Sequence, residues 1–222
     1  MTIALVVPAV VNALLRARGA TRTRAKAADV KATFARHNIA PSVAQLHFES
    51  TYGGVVLPDD DGLWLFGAHA CLSSNAHPKL AASAQRTRLV PVAYSPNDVV
   101  YFLDAVGRGY AQDTIEDDKP VSFARDGRGI VSRIVLHDAQ FAMRERRELA
   151  GAQGAAMAKK LKLKLVKEAS VADARFFSDA NGGIIVVETT KPRVTTVACN
   201  DAARLAVLDP PRPSKKAPVR EL

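Results

Sequence analysis

Three short strands are predicted within residues 89–112, which read LVPVAYSPNDVVYFLDAVGRGYAQ. Residues 89–93 and 99–103 are rich in β-branched and aromatic side chains, which favour strands. The segment 104–109, DAVGRG, is predicted as a hairpin-like turn, and a third strand returns at 110–112. The pattern therefore indicates a mostly antiparallel sheet near the middle of the chain.

Helices and further strands surround this segment on both sides. Helical periodicity predicts an N-terminal helix over 8–18, a second over 26–36, and a third that opens at Pro41-Ser42 and stops at Tyr52-Gly53-Gly54. The pattern also predicts a short helix at 78–86 and a long helix from after Asp126 to about Arg147. The remaining strands before residue 126 are predicted at 55–57, 63–66 and 121–124.

The last third of the chain has a different composition. Residues 155–165 are rich in Ala, Lys and Leu and predict a helix, although strict alternation from Lys160 to Leu165 also allows a strand. Three strands follow at 175–178, 184–190 and 194–199, and a short helix runs from Asp201 through Leu208. The first two of these strands are joined by DANGG, a strong hairpin signal.

These elements predict an α+β fold. It has N-terminal helices, a central mostly antiparallel sheet, a long helix and a C-terminal three-stranded meander. We expect residues 1–148 to form one α+β domain, and residues 149–209 to form an annex or part of the same domain. Residues 210–222, basic and rich in proline, are expected to be a disordered tail.

The charge is unevenly distributed. The 222 residues carry a net charge of +9, with +6 on residues 1–37, −4 on residues 38–140 and +7 on residues 141–222. This asymmetry argues against a single basic core that binds nucleic acid. It leaves open a nucleic-acid-associated protein that uses its basic flanks.

The apolar run at 1–15 does not predict export or membrane insertion. No Lys or Arg precedes it, and Pro8 and Asn12 interrupt it, so it lacks the charged start of a secretory signal and the length of a spanning helix. We therefore expect a cytoplasmic protein that makes no use of a membrane.

The central segment resembles the SUKH superfamily, which groups fungal cell-wall-synthesis regulators with bacterial immunity proteins. The helix leading into FESTYGG, residues 48–54, is similar to the "F…YGG" segment of that family. Residues 90–95 (VPVAYS), 100–104 (VYFLD) and 110–113 (YAQD), with Gly107, are similar to its later strands. The resemblance covers roughly residues 26–141. The chain departs from the family pattern at Trp64, which is not followed by glycine. Its C-terminal part is also longer than is usual in the family.

The resemblance implies an interaction module without catalysis. An immunity protein of this kind would bind and neutralise a cognate protein toxin, for which a nuclease with a basic surface is one candidate. Complementary charge would speed association, and a few buried aromatic residues would carry the affinity. The partner-binding candidates are Asp59, Asp60, Asp61, Trp64, Glu116, Asp117 and Asp118. Acidic clusters of this kind are usually solvated turns, and core packing would explain Trp64, Tyr52 and Tyr101.

Catalytic and metal-binding patterns are weak. His69, Cys71 and His77 lie close in sequence but offer no clear fourth zinc ligand. On a strand, His69 and Cys71 would share a face, so a nucleophile pair is geometrically conceivable. Packed cysteines, including Cys199 in a strand, are the simpler interpretation. We expect no cofactor, no metal and no enzymatic activity.

Overall fold

A computed structural model describes residues 4–73, 88–97, 99–113, 119–206 and 208. These residues form seven helices and two antiparallel sheets, which confirms the predicted α+β fold. The helices are α1 (Ala9–Ala17), α2 (Ala27–Arg36), α3 (Val43–Tyr52), α4 (Ala68–Ser73), α5 (Gly127–Phe141), α6 (Gly154–Lys160) and α7 (Ala202–Ala206). None of these helices has the length and apolar character that crossing a membrane requires.

The first sheet has seven strands that lie side by side in the order of the sequence. They are β1 (Thr21–Arg22), β2 (Val55–Asp59), β3 (Gly62–Phe66), β4 (Val90–Tyr94), β5 (Val99–Leu103), β6 (Gly109–Asp113) and β7 (Val121–Ala124). Every neighbouring pair is antiparallel. The strands predicted within 89–112 are β4, β5 and β6, the fourth to sixth strands of this sheet.

The second sheet contains the predicted C-terminal meander as its centre. It consists of β8 (Glu145–Ala150), β9 (Lys164–Leu165), β10 (Ala174–Ser178), β11 (Ile184–Thr190) and β12 (Arg193–Cys199). The spatial order is β8-β12-β11-β10-β9. The described strands after residue 144 therefore all belong to the second sheet and do not extend the first. Strand β8 runs across positions 148 and 149 and pairs with β12 along its whole length.

Two predicted helices are shorter than the sequence pattern indicated. Helix α5 ends at Phe141 and not near Arg147, because residues 145–150 form the edge strand β8. Helix α6 ends at Lys160, and Lys162 adopts a left-handed conformation (φ 57°) before β9 begins. The alternation of Lys and Leu in this segment thus marks a turn into a strand.

Helix α5 is central to the packing of both sheets. Asp126 caps it, because its Oδ1 accepts a hydrogen bond from the Gly129 N–H at 2.7 Å. Its buried side chains, such as Ile134, belong to one hydrophobic core that also contains Phe66 of the first sheet and Ile185 of the second. A second core lies on the other face of the second sheet, where side chains such as Val186 pack with α6 and α7.

Candidate partner-binding surface

Helix α3 is defined at both ends by its own sequence. Ser42 and Gln45 form a capping box in which the Ser42 N–H donates to Gln45 Oε1 at 2.8 Å and the Gln45 N–H donates to Ser42 Oγ at 3.3 Å. The helix stops at Tyr52, before two glycines. Gly54 has a φ of +75°, and a Cβ there would lie 1.8 Å from the Thr23 carbonyl oxygen. Glycine is therefore required where α3 turns into β2.

The inner face of α3 packs into the core through aromatic side chains. Phe48 and Tyr52 are almost fully buried, with their ring centroids 4.9 Å apart. The Tyr52 hydroxyl donates to the Val6 carbonyl at 2.9 Å, and burial raises the pKa of that hydroxyl to about 12. Tyr52 is thus a core residue of the motif at 48–54.

The outer face of α3, formed by Val43, Leu46, His47 and Ser50, is exposed to solvent. Val43 is 85% exposed and Leu46 is 45% exposed. These four positions follow the i, i+3, i+4, i+7 spacing of one helix face. Two apolar side chains are therefore presented together on a helix whose opposite side is already packed.

A groove lies beside this outer face, between α2 and α3. We call it the α2–α3 groove; its volume is about 710 Å³. Most of its lining is apolar, and it includes Phe34 of α2 and Leu46 of α3. The lining residues are Arg24, Ala25, Ala27, Val30, Lys31, Phe34, Ala35, Ile39, Pro41, Leu46, Glu49, Ser50 and Gly53. Its volume and composition are typical of a binding site.

The α2 side of the groove is basic. Residues 22–36 contain five Lys or Arg and a single acid, Asp29. Arg24 and Lys31 line the groove and are exposed. Arg22 is turned inward, where its Nε donates to the Gly53 carbonyl at 3.2 Å and its side chain bonds the Ser50 carbonyl at 3.0 Å. Arg22 therefore fastens α3 in place, while the other two cations face solvent at the rim.

Glu49 is the only acid that lines the groove among the residues that the structure describes. Its carboxylate is buried, and its Oε2 accepts a hydrogen bond from the His69 N–H at 3.3 Å, at the start of α4. Burial raises the pKa of Glu49, whereas the backbone N–H groups of His69 and Ala68 and the positive charge of Arg22 act against this rise. Gly67 packs against the carboxylate, since a Cβ there would lie 3.0 Å from Oε2. Glu49 thus joins α3 to α4.

Two of the predicted partner-binding residues are engaged inside the protein. The indole Nε1–H of Trp64 donates to Asp138 Oδ1 at 3.1 Å, and Trp64 is only 8% exposed. Arg18 bridges Asp138 and Asp59, with its guanidinium 3.3 Å from Asp59 Oδ1. Burial raises the pKa of Asp138 to about 6, Arg18 opposes this rise, and Asp59 adds to it. This set, the Arg18 network, joins α1, the β2–β3 hairpin and α5.

The other predicted acids fall into two groups. Asp60 and Asp61 are exposed at the β2–β3 turn, so they remain available to a partner. Glu116, Asp117 and Asp118 lie outside the described residues. Tyr101, the remaining aromatic candidate, is buried, with its ring centroid 5.9 Å from that of Trp64.

His69 and Cys71 do not lie on a strand, which a nucleophile pair at these two positions would require. His69 and Cys71 lie on helix α4, where positions i and i+2 do not share a face. The His69 Nδ1 is hydrogen-bonded to the Thr33 hydroxyl at 2.9 Å. Cys71 is fully buried, and burial raises the pKa of its thiol, which disfavours the thiolate. His77 lies outside the described residues, and Cys199 is a core residue, as predicted.

No group of three or more His, Cys, Asp or Glu side chains within the described ranges could hold a metal ion. The groove itself was not predicted from the sequence. The available signal was the apolar composition of α3 on both of its sides, since Val43 and Leu46 occur together with Phe48 in one ten-residue helix. That pattern could not indicate which side would be covered.

The fold and the surface therefore define an α+β protein with an exposed apolar helix face beside a basic-rimmed groove. Comparisons of the chain with protein-family models, with curated proteins and with solved structures found no match.

Proposed function

We propose that this chain is a cytoplasmic SUKH-like interaction module that binds and neutralises a cognate protein toxin, without catalysis. The observation that carries the proposal is the exposed apolar surface of α3 and the α2–α3 groove. This surface is built on the segment that resembles the family, because Glu49, Ser50 and Gly53 of the motif at 48–54 line the groove.

The surface has the features of an interface centre. Complete burial of a Val or Leu side chain contributes roughly 1.5–3 kcal/mol, and in the chain alone Val43 is 85% exposed and Leu46 is 45% exposed. A few well-packed, fully desolvated side chains near the centre of an interface carry most of its affinity, and a partner that covered Val43 and Leu46 would desolvate both. Helix α3 is also rigid, since its capping box and its Phe48–Tyr52 packing hold it in place. A partner would therefore meet a surface that needs little ordering on binding.

The structural roles of Glu49, His69 and Cys71 support a proposal without catalysis. The Glu49 carboxylate faces backbone N–H groups of α4, His69 bonds Thr33, and the thiol of Cys71 is buried. Each of these groups has a structural partner or a buried position that accounts for it. A binding role uses the groove without requiring any of them to react.

The test is co-expression with the product of the adjacent reading frame. We expect that product to be toxic alone, to be neutralised by this chain and to co-purify with it. Leu46→Glu should weaken the complex by at least tenfold, because it places a charge at the apolar centre. The matched control is Leu63→Glu on β3, a leucine of similar exposure (53%) beside the acidic β2–β3 turn, which should leave binding intact.

Three results would reject the proposal: a neighbouring product without toxicity, no complex, or equal losses from Leu46→Glu and Leu63→Glu. If only Leu63→Glu or an Asp60→Asn, Asp61→Asn variant lost binding, the interface would lie at the acidic β2–β3 turn, and the α3 surface would be rejected.

A second candidate function, association with nucleic acid, is favoured by one observation. Five lysines between positions 159 and 167 are all exposed: Lys159, Lys160, Lys162, Lys164 and Lys167. Such a cluster can contact phosphates, and the binding it gives is strongly salt-dependent. Retention on a DNA or RNA column that weakens steeply with salt would support this function. If Lys160→Glu with Lys162→Glu left retention unchanged, the lysine cluster would have no such role.

A further inference from the structure

We infer that the α2–α3 groove takes an amphipathic helix of the partner, with an apolar stripe flanked by acidic residues. This inference rests on the proposed function, since it names the chemistry of the segment that the α3 surface would bind. Three properties of the groove carry it: its length, its apolar lining and the sign of the charges at its rim.

The length of the groove suits a short helix. Its α2 wall runs from Ala27 to Ala35, and at 1.5 Å per residue this spans about 12 Å. Its α3 wall runs from Leu46 to Gly53 and spans about 10 Å. Apolar anchors at i, i+4 and i+7 of a docked helix span about 10.5 Å. The two walls can therefore bury one such stripe.

The lining offers apolar contacts along this whole length. Ala27, Val30 and Phe34 succeed one another along α2, and Ile39 and Pro41 continue the wall into the α2–α3 loop. An extended strand would place only alternate side chains into such a channel. It would leave its backbone N–H and C=O groups unpaired, because none of the described residues that line the groove belongs to a strand. A helix satisfies its own backbone and needs only apolar contacts from the walls.

The charges at the rim select the flanks of the docked helix. Arg24 and Lys31 are exposed and line the groove, whereas the only described acid that lines it, Glu49, is buried against the start of α4. A partner side chain at the rim thus meets positive charge. Acidic flanking residues would be attracted, and basic ones repelled, most strongly at low salt. The groove therefore favours an acidic partner segment, whereas the acidic β2–β3 turn would favour a basic one.

The experiment uses two synthetic helical peptides of about fifteen residues, with leucines at i, i+4 and i+7 and either glutamate or lysine on both flanks. Each is titrated into the full chain by fluorescence anisotropy at low and at physiological salt. The glutamate peptide should bind at least about tenfold more tightly than the lysine peptide at low salt. In Arg24→Glu with Lys31→Glu this preference should be lost or reversed. The matched control is Lys160→Glu with Lys162→Glu, at the end of α6 and in the turn that follows it. It changes the net charge equally, away from the groove lining, and should keep the preference.

Each other outcome overturns the inference. If neither peptide binds, or if Leu46→Glu leaves binding unchanged, no such helix occupies the groove. Equal binding of both peptides would show that the charges at the rim do not select acidic flanks. Self-association abolished by Leu46→Glu would assign the groove to a second copy of the chain. None of these results bears on whether the neighbouring product is a toxin that this chain neutralises, so a failure here is distinct from a failure of the proposed function.

Discussion

Replacing Asp138 by asparagine is expected to remove a pH dependence of stability that its buried carboxylate creates. Asp138 lies in α5, where the Trp64 indole and the Arg18 guanidinium donate to it. Burial raises its pKa from 3.8 to about 6, despite the opposing effect of Arg18. The folded protein therefore binds a proton at this site more tightly than the unfolded chain does.

The sign of the pH effect follows from this difference. Because the pKa is raised in the folded state, the protonated carboxyl contributes stability that is fully present below about pH 4. That contribution is lost as the pH rises through about 6. A difference of roughly two between the pKa values of Asp138 in the folded and unfolded states corresponds to about 3 kcal/mol in the free energy of unfolding. Asparagine has no proton to lose, so the variant lacks this contribution to the pH profile.

The measurement is urea unfolding of the wild-type chain and of Asp138→Asn at several values between about pH 4 and pH 7. Trp64, the only tryptophan in the sequence, reports on the site by fluorescence. The stability of the wild type relative to the variant should fall by up to about 3 kcal/mol across this range. Asp60→Asn, at an exposed position of the β2–β3 turn, should show no comparable trend. A difference between wild type and Asp138→Asn that stays constant with pH would refute the reasoning.

Three further predictions concern the local structure. Gly54→Ala should destabilise the fold far more than Gly19→Ala, because both glycines have positive φ but only at Gly54 would a Cβ collide with backbone, and thermal unfolding of both variants checks this. Ser42→Ala should cost about 1 kcal/mol of unfolding free energy in urea, since it removes the N-cap of α3; no loss would mean that the cap is unimportant. Cys71 and Cys199 are fully buried, so a thiol reagent should titrate neither in the native protein and both in denaturant; native reaction of either would contradict the core assignment.

The elements with local signals could be predicted from the sequence. Strands β5, β7 and β11 have the predicted bounds, because their β-branched and aromatic runs are bordered by turn residues. Helix α3 was delimited by Pro41-Ser42 before it and by two glycines after it. In each case the neighbouring residues in the chain carry the information.

Features that depend on distant partners could not be predicted. Strand β8 contains Glu145, Arg146, Arg147 and Glu148, which are compatible with a helix, and it becomes a strand by pairing with β12 some fifty residues later. Asp59 was expected on the surface, but it accepts a hydrogen bond from Arg18, forty-one positions earlier in the sequence, and so belongs to the Arg18 network. The groove likewise requires α2 and α3 to lie side by side, which helical periodicity alone does not specify.

The strands at the borders of the two sheets have a consequence for self-association. The outermost strands are β1 and β7 in the first sheet and β8 and β9 in the second. Strands β1 and β9 have two residues each, and β8 carries four charged side chains. Short or charged borders offer little backbone for another chain to extend by hydrogen bonding. These three borders therefore disfavour growth into fibrils by strand addition, even though the chain exposes an apolar helix face on α3.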